Sequence, residues 1–129
     1  MDAMEIRKKY ELLVINNKLS LYFRISARYD DDDVEVGHMY LYLLFNDLHK
    51  QPFGFIEDVF VEESYRGRGI GESLMQTAIT AAKNAKCYKL IATTRHEKEK
   101  VRDWYLGMGF RNHGVELRMD FQEQGSEEK

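Results

Sequence analysis

One cysteine, one proline and one tryptophan stand in 129 residues. The single thiol, Cys87, excludes an intrachain disulfide and a cysteine metal cluster built from one chain, and it fits a reducing cytoplasm. So little proline, beside nine glycines, excludes collagen-like and low-complexity chains. No apolar run approaches the ~20 residues of a membrane span. The opening MDAMEIRKKYELL lacks the apolar core and the small-residue cleavage site of a secretory leader, so a cytoplasmic chain without a membrane partner is expected. Nor is there an excess of positive charge: 19 Lys and Arg against 22 Asp and Glu leave a net charge of −3. Bulk charge therefore does not point to a nucleic-acid partner, and any polyanion site must be local. What is present, 43% hydrophobic and 32% charged residues, is enough for one compact core.

Apolar residues at Leu19, Leu21, Phe23, Ile25, Ala27 and Tyr29 alternate with Ser20, Arg24, Ser26 and Arg28, the period of a half-buried strand. The turn-forming Asn16, Asn17 and Lys18 follow an apolar stretch at 10–15 and predict a hairpin. Four acids, Asp30 to Asp33, read as a solvated turn before a third strand in the Val-, Tyr-, Leu- and Phe-rich run 34–45. Residues 53–61 (FGFIEDVFV) predict a fourth strand in which Glu57 and Asp58 are two acids in an apolar run. A glycine-bearing loop over 62–71 leads into apolar positions Ile70, Leu74, Ala78, Ala81, Ala82 and Ala85, an amphipathic helix over about 70–86. A buried strand at 89–94, a helix at 97–106 ended by Gly107 and Gly109, and a last strand at 115–121 follow, with a solvated tail over 122–129. Strands first and a βαβ unit after them predict an α/β or α+β domain over 1–121, a mixed sheet with helices packed on it.

Arg66-Gly67-Arg68-Gly69-Ile70-Gly71 falls between a predicted strand and a predicted helix. Glycines there let backbone N–H groups face an anion, the helix N-terminus adds attraction, and two guanidinium groups suit phosphate. No Lys-Ser or Lys-Thr follows, which argues against a nucleotide-hydrolysing P-loop. The dinucleotide fingerprint fails too, because position 72 is Glu and the next strand ends in Thr93-Thr94 rather than an acid. The bland alternative is a tight turn with solvated arginines.

With these residues in view, the chain resembles the GNAT superfamily of acetyl-CoA-dependent N-acyltransferases. The family's R/Q-x-x-G-x-G/A loop is matched by Arg66, Gly69 and Gly71 in VFVEESYRGRGIGESL, and its Y-x-x-x-G-F signature by Tyr105, Gly109 and Phe110 in DWYLGMGF. IEDVFV followed by CYKL is also similar to the glucosamine-6-phosphate N-acetyltransferase branch. That branch carries an acid near the end of the strand after CYK, where this chain has Ala92-Thr93-Thr94, and the stretch RHEKEKVRDW differs in length and charge. The resemblance implies a mixed, mostly antiparallel GNAT-like sheet. Residues 12–19 leave room only for a tight turn where many members insert helix between the first two strands, so the N-terminal helical region is reduced. This implies a more open acceptor site, completed by a second subunit or suited to a protein substrate; homodimers are common in the family.

The implied function is transfer of an acetyl group from acetyl-CoA to a primary amine of a small molecule. A protein lysine or N-terminus is the alternative acceptor, and a non-catalytic coenzyme A-binding regulatory module the alternative class. By resemblance, the backbone of Val59, Phe60 and Val61 pairs with the pantetheine arm, and a splayed strand edge gives an N–H to the thioester oxygen. Arg66, Gly67, Arg68, Gly69, Ile70, Gly71 and Glu72 hold the diphosphate. Tyr105 is the candidate general acid for the departing thiol, because a phenol is protonated at neutral pH; the alternative is an aromatic packing the last helix. Glu57 is the candidate base, directly or through a water, because an alkylamine must lose a proton before attack and a carboxylate in a central strand is costly without a role. A salt bridge to Arg or Lys would account for Glu57 equally well, and Asp58, on the opposite face, is the other candidate. His38, His49, His96 and His113 are scattered without metal-like spacing, so no metal is expected. Lys98, Lys100 and Arg102 suit an adenosine phosphate or a solvated helix face, and Trp104 reads as core.

Overall fold

A computed structural model describes residues 4–15, 18–29 and 34–122. Strands β1 (Met4–Ile15), β2 (Lys18–Tyr29), β3 (Val34–Leu44) and β4 (Phe53–Val61) are followed by helix α1 (Ile70–Asn84), strand β5 (Leu90–Ala92) and helix α2 (Glu99–Gly107). The sheet runs in the order β1-β2-β3-β4-β5. Its first four strands are antiparallel neighbours and β5 lies parallel to β4. This is the expected mixed, mostly antiparallel α+β architecture. The described residues divide into two compact units, one up to Ala92 and one from Thr93 onward.

In the first unit, alternation along the strands sorts side chains by face. Ile25, Ala27, Met39, Leu41, Leu43 and Ile56 are buried. Helix α1, packed against β2, β3 and β4, contributes Ile70, Leu74, Met75, Ala78, Ala81 and Ala82 to the same core. Their recurrence every three or four residues is why one stripe of the helix is buried. Gly37 is where the helix comes closest: a Cβ there would stand 3.1 Å from the Phe60 carbonyl oxygen and 3.2 Å from Ile70 Cγ2. Gly54 does the same for β5, since a Cβ would meet Leu90 Cδ1 at 2.7 Å.

Ile15 pairs with Lys18, so only residues 16 and 17 join β1 to β2 and no helix separates them. The Asn16-Asn17 turn and the Asp30–Asp33 turn themselves lie outside the described residues. Strand β1 begins at Met4, well before the apolar stretch at 10–15. It is the sheet's edge, where charged residues such as Arg7, paired with Glu5, are tolerated on a strand.

The second unit departs from expectation at its end. Residues 111–120 form no strand. Val115, Leu117, Met119 and Phe121 are 71 to 90% exposed. The alternating pattern is real, but a strand exists only through a ladder to a neighbour, and none among the described residues pairs with this segment. Elsewhere, α1 stops at Asn84, two residues short of expectation, and β5 keeps only Leu90–Ala92 of the predicted 89–94. No described helix is long and apolar enough to cross a membrane.

Candidate active site

The site is built around an irregularity in β4. Tyr40 pairs with Glu57 and His38 with Phe60, so the single residue Met39 faces two, Asp58 and Val59. This is a β-bulge, and Asp58 takes up the extra residue with φ of 56°, a left-handed conformation that aspartate tolerates better than most side chains. On the other side, β5 ends with Ala92 opposite Ile56. From Glu57 to Val61, therefore, β4 is paired with β3 alone among the described residues, and its second edge is unpaired. Val59, Phe60 and Val61 lie along that edge, half-buried.

Both acids at the bulge are exposed. The premise that Glu57 is a carboxylate buried in a central strand is thus corrected: the bulge lets the strand carry it out to solvent. Its hydrogen-bond partner among the described residues is a phenol, not a cation. The Tyr42 hydroxyl donates to Glu57 Oε1 at 3.3 Å.

After Val61 the chain makes a short 3-10 turn, Glu63–Tyr65, and reaches α1 through the glycines. Gly67 and Gly69 both have φ of 80°, the region open to glycine, and Gly69 is the residue that caps α1. A Cβ at either would meet nothing within 4 Å, so the space in front of this backbone is open. The Ser73 N–H bonds to the Gly69 carbonyl at 3.0 Å, while the earlier amides of Ile70, Gly71 and Glu72 belong to the first turn, whose N–H groups have no acceptor within a helix. Arg66 Nε donates to the Val61 carbonyl at 2.9 Å, with its guanidinium 5.9 Å from the Phe60 ring centre. Arg68 lies 4.9 Å from that of Tyr65. Two cations, open glycine backbone and a helix N-terminus come together here, groups of the kind that could hold a phosphate.

A third group, which sequence reasoning missed, lies on the sheet face opposite α1. Gly37 faces Ile70 and Leu74, so by alternation His38, Tyr40 and Tyr42 point the other way. Arg24 of β2, opposite Tyr40, donates to the Tyr40 hydroxyl at 2.5 Å and pairs with Glu35 at 2.6 Å. Its guanidinium is raised further by these partners, against the lowering effect of burial. His38 Nδ1 is 3.7 Å from Glu35, and its ring lies 5.6 Å from that of Phe60. Tyr42 lies 5.8 Å from Tyr22 and 6.4 Å from both Tyr40 and Phe55, ring centre to ring centre. Burial first, then the charge of Glu57, pushes the Tyr42 hydroxyl up to about 12. The signal was there in the spacing of Tyr40 and Tyr42 in one strand and Arg24 in another, but only the register brings them together.

In the second unit, Tyr105 is buried near the end of α2. Its ring meets Trp104 and Phe110 edge-on, at 5.2 and 5.3 Å, and burial raises its hydroxyl above the ordinary tyrosine value. Gly109, with φ of 105°, turns the chain so that the Phe110 N–H reaches the Tyr105 carbonyl at 3.2 Å. The Y-x-x-x-G-F spacing is therefore a helix end with a packed aromatic pair. Trp104 is half-buried, and Lys98 and Lys100 are exposed. Arg102 is bound to the His96 carbonyl at 3.0 Å.

The sequence model of the Acetyltransferase (GNAT) family matches residues 3–110, and the chain belongs to that family. A glucosamine 6-phosphate N-acetyltransferase of Trypanosoma brucei brucei is 39% identical over 67 residues, 52% of this chain and 44% of that protein. N-alpha-acetyltransferase 30 of Saccharomyces cerevisiae is 35% identical over 57 residues, 44% of this chain and 32% of that one. The chain thus matches less than half the length of these curated relatives. Among solved structures, an acetyltransferase of Trypanosoma brucei has a TM-score of 0.72 at 28% identity, covering 78% of this chain and 69% of its own. The glucosamine-6-phosphate N-acetyltransferase of Arabidopsis thaliana shares the fold, with a TM-score of 0.70 at 20% identity over 78% of this chain and 66% of its own.

Proposed function

We propose that this chain transfers an acetyl group from acetyl-CoA to the primary amine of a small molecule. The observation that carries the reading is the unpaired β4 edge at the Asp58 bulge, placed one short turn before an open glycine cradle at the N-terminus of α1. Such an edge offers main-chain groups to an extended amide-bearing arm, and such a cradle offers N–H groups and cations to its diphosphate.

Acetyl-CoA supplies the thioester carbonyl that the amine attacks. Val59, Phe60 and Val61 align the arm by strand-like pairing, and Arg66 to Glu72 hold the diphosphate. An N–H at the bulge stabilises the carbonyl oxygen as negative charge builds on it, a contribution of about 3 kcal/mol for donors of this kind. Glu57 takes the ammonium proton, directly or through a water, so that the nitrogen lone pair is free to form the new C–N bond. As the C–S bond breaks, Tyr105 gives its proton to the sulfur; the second proton, shed by the nitrogen as it becomes an amide, restores Tyr105 through solvent, and Glu57 releases its own to solvent. No step calls for a metal. Titration calorimetry with acetyl-CoA, coenzyme A and ATP tests the binding reading; saturable binding of the first two without the third supports it. Thiol release with a panel of amines then tests turnover.

A protein amine is the second reading, and the two-residue connection between β1 and β2 supports it, because no helix stands between those strands to narrow the acceptor side. A peptide panel in the same thiol-release assay separates the two. A homodimer is part of the proposal, supported by the four exposed apolar side chains from Val115 to Phe121 in strand-like alternation; sedimentation of the wild type and of Leu117→Glu tests it. A cytoplasmic location is part of the proposal, in keeping with Cys87 as the single, free thiol.

A further inference from the structure

We propose that the sheet face opposite α1 is the acceptor subsite and that it selects a cationic amine with an apolar body, rather than one carrying an anionic group. This deepens the acetyl-transfer reading and rests on it. Position is the first argument. Glu57 sits opposite Tyr40, one residue before the bulge where the β4 edge opens. A molecule lying over Tyr40 and Tyr42 therefore brings its amine to β4 at the point where the thioester arm would run.

Surface chemistry is the second argument. Tyr22, Tyr40, Tyr42 and Phe55 make a continuous aromatic layer with ring centres 5.8 to 6.4 Å apart, and these rings are half-buried, not sealed. An exposed carboxylate at the edge of an aromatic layer matches an alkylammonium group attached to an apolar body, because the ring faces attract the cation and the carboxylate pairs with it.

Charge is the third. Glu57 and Asp58 both act on the Tyr42 hydroxyl, and both are carboxylates. The Arg24 guanidinium, the cation that the register brings to Tyr40, is already held by Glu35 and the Tyr40 hydroxyl. A phosphate on the acceptor would meet like charge at the bulge and would have to displace Glu35 to reach Arg24.

The test uses the full chain with acetyl-CoA and two probes, 2-phenylethylamine and glucosamine 6-phosphate, followed by thiol release. The expected result is a kcat/KM for 2-phenylethylamine at least about 10-fold above that for glucosamine 6-phosphate. Tyr42→Leu, which removes a ring, is expected to raise KM for 2-phenylethylamine about 10-fold, and Tyr42→Phe, which keeps the ring, to reverse most of that rise. Phe55→Leu serves as the second ring deletion where Tyr42→Leu does not fold. A preference for glucosamine 6-phosphate, or a KM indifferent to both ring deletions, overturns the inference and leaves the acetyl-transfer reading standing. Failure to bind acetyl-CoA, or absence of thiol release with every amine, removes that reading and the inference with it.

Discussion

Tyr42 of β3 donates its hydroxyl to Glu57 Oε1 of β4 at 3.3 Å, and the two residues are coupled electrostatically. Burial is the larger cause and Glu57 the next in pushing that hydroxyl up to about 12. An unfolded tyrosine titrates near ~10. Between these values the unfolded chain releases its proton while the folded chain holds it, so folding stability present below pH ~10 is lost as pH rises through the folded value. Tyr105, raised by burial, acts in the same direction. Denaturant unfolding at about pH 9 and about pH 11.5 should show lower stability at the higher pH, and a smaller loss in Tyr42→Phe.

Gly69→Ala tests the loop. The residue has φ of 80° with open space where a Cβ would go, so the penalty is backbone strain rather than a clash. A cost of about 1–2 kcal/mol is expected, shared between a lower melting temperature and weaker acetyl-CoA binding as the loop relaxes. Thermal unfolding and calorimetric titration measure the two.

Gly37→Ala tests the packing behind the site. The new methyl would press on the Phe60 carbonyl oxygen, part of the backbone next to the bulge, as well as on Ile70 and Leu74. A loss of about 1–3 kcal/mol in unfolding free energy is expected, because a close-packed core must move apart to admit it.

Tyr105→Phe tests the proton donor. The ring packing against Trp104 and Phe110 is preserved, so the melting temperature should stay near that of the wild type. Thiol release should fall about 10²-fold, the smaller end of what a positioned acid contributes. Unchanged turnover would assign Tyr105 to packing alone.

Period-two and period-3.6 patterns are local properties, and they made most of the fold legible. β2, β3, β4 and α1 lie close to where the alternation of residues 19–29, the β-rich run at 34–45, the apolar run at 53–61 and the Ile70, Leu74, Ala78 stripe put them. The same rule misled at 115–121, since alternation specifies which faces a strand would have, not whether an edge is there to receive it. Glu57 was singled out for the right oddity and the wrong surroundings: an acid in an apolar run looks buried until the strand is known to bulge.

The glycine loop, its two arginines and the order of strands and helices as far as α2 were determined by the sequence alone, because turn geometry and amphipathic faces depend on residues a few positions apart. Tertiary structure alone decided where β4 is left unpaired, the bulge at Asp58 and the aromatic layer. Each depends on which residue of one strand stands opposite which residue of another, and that register is set by the packing of the whole core.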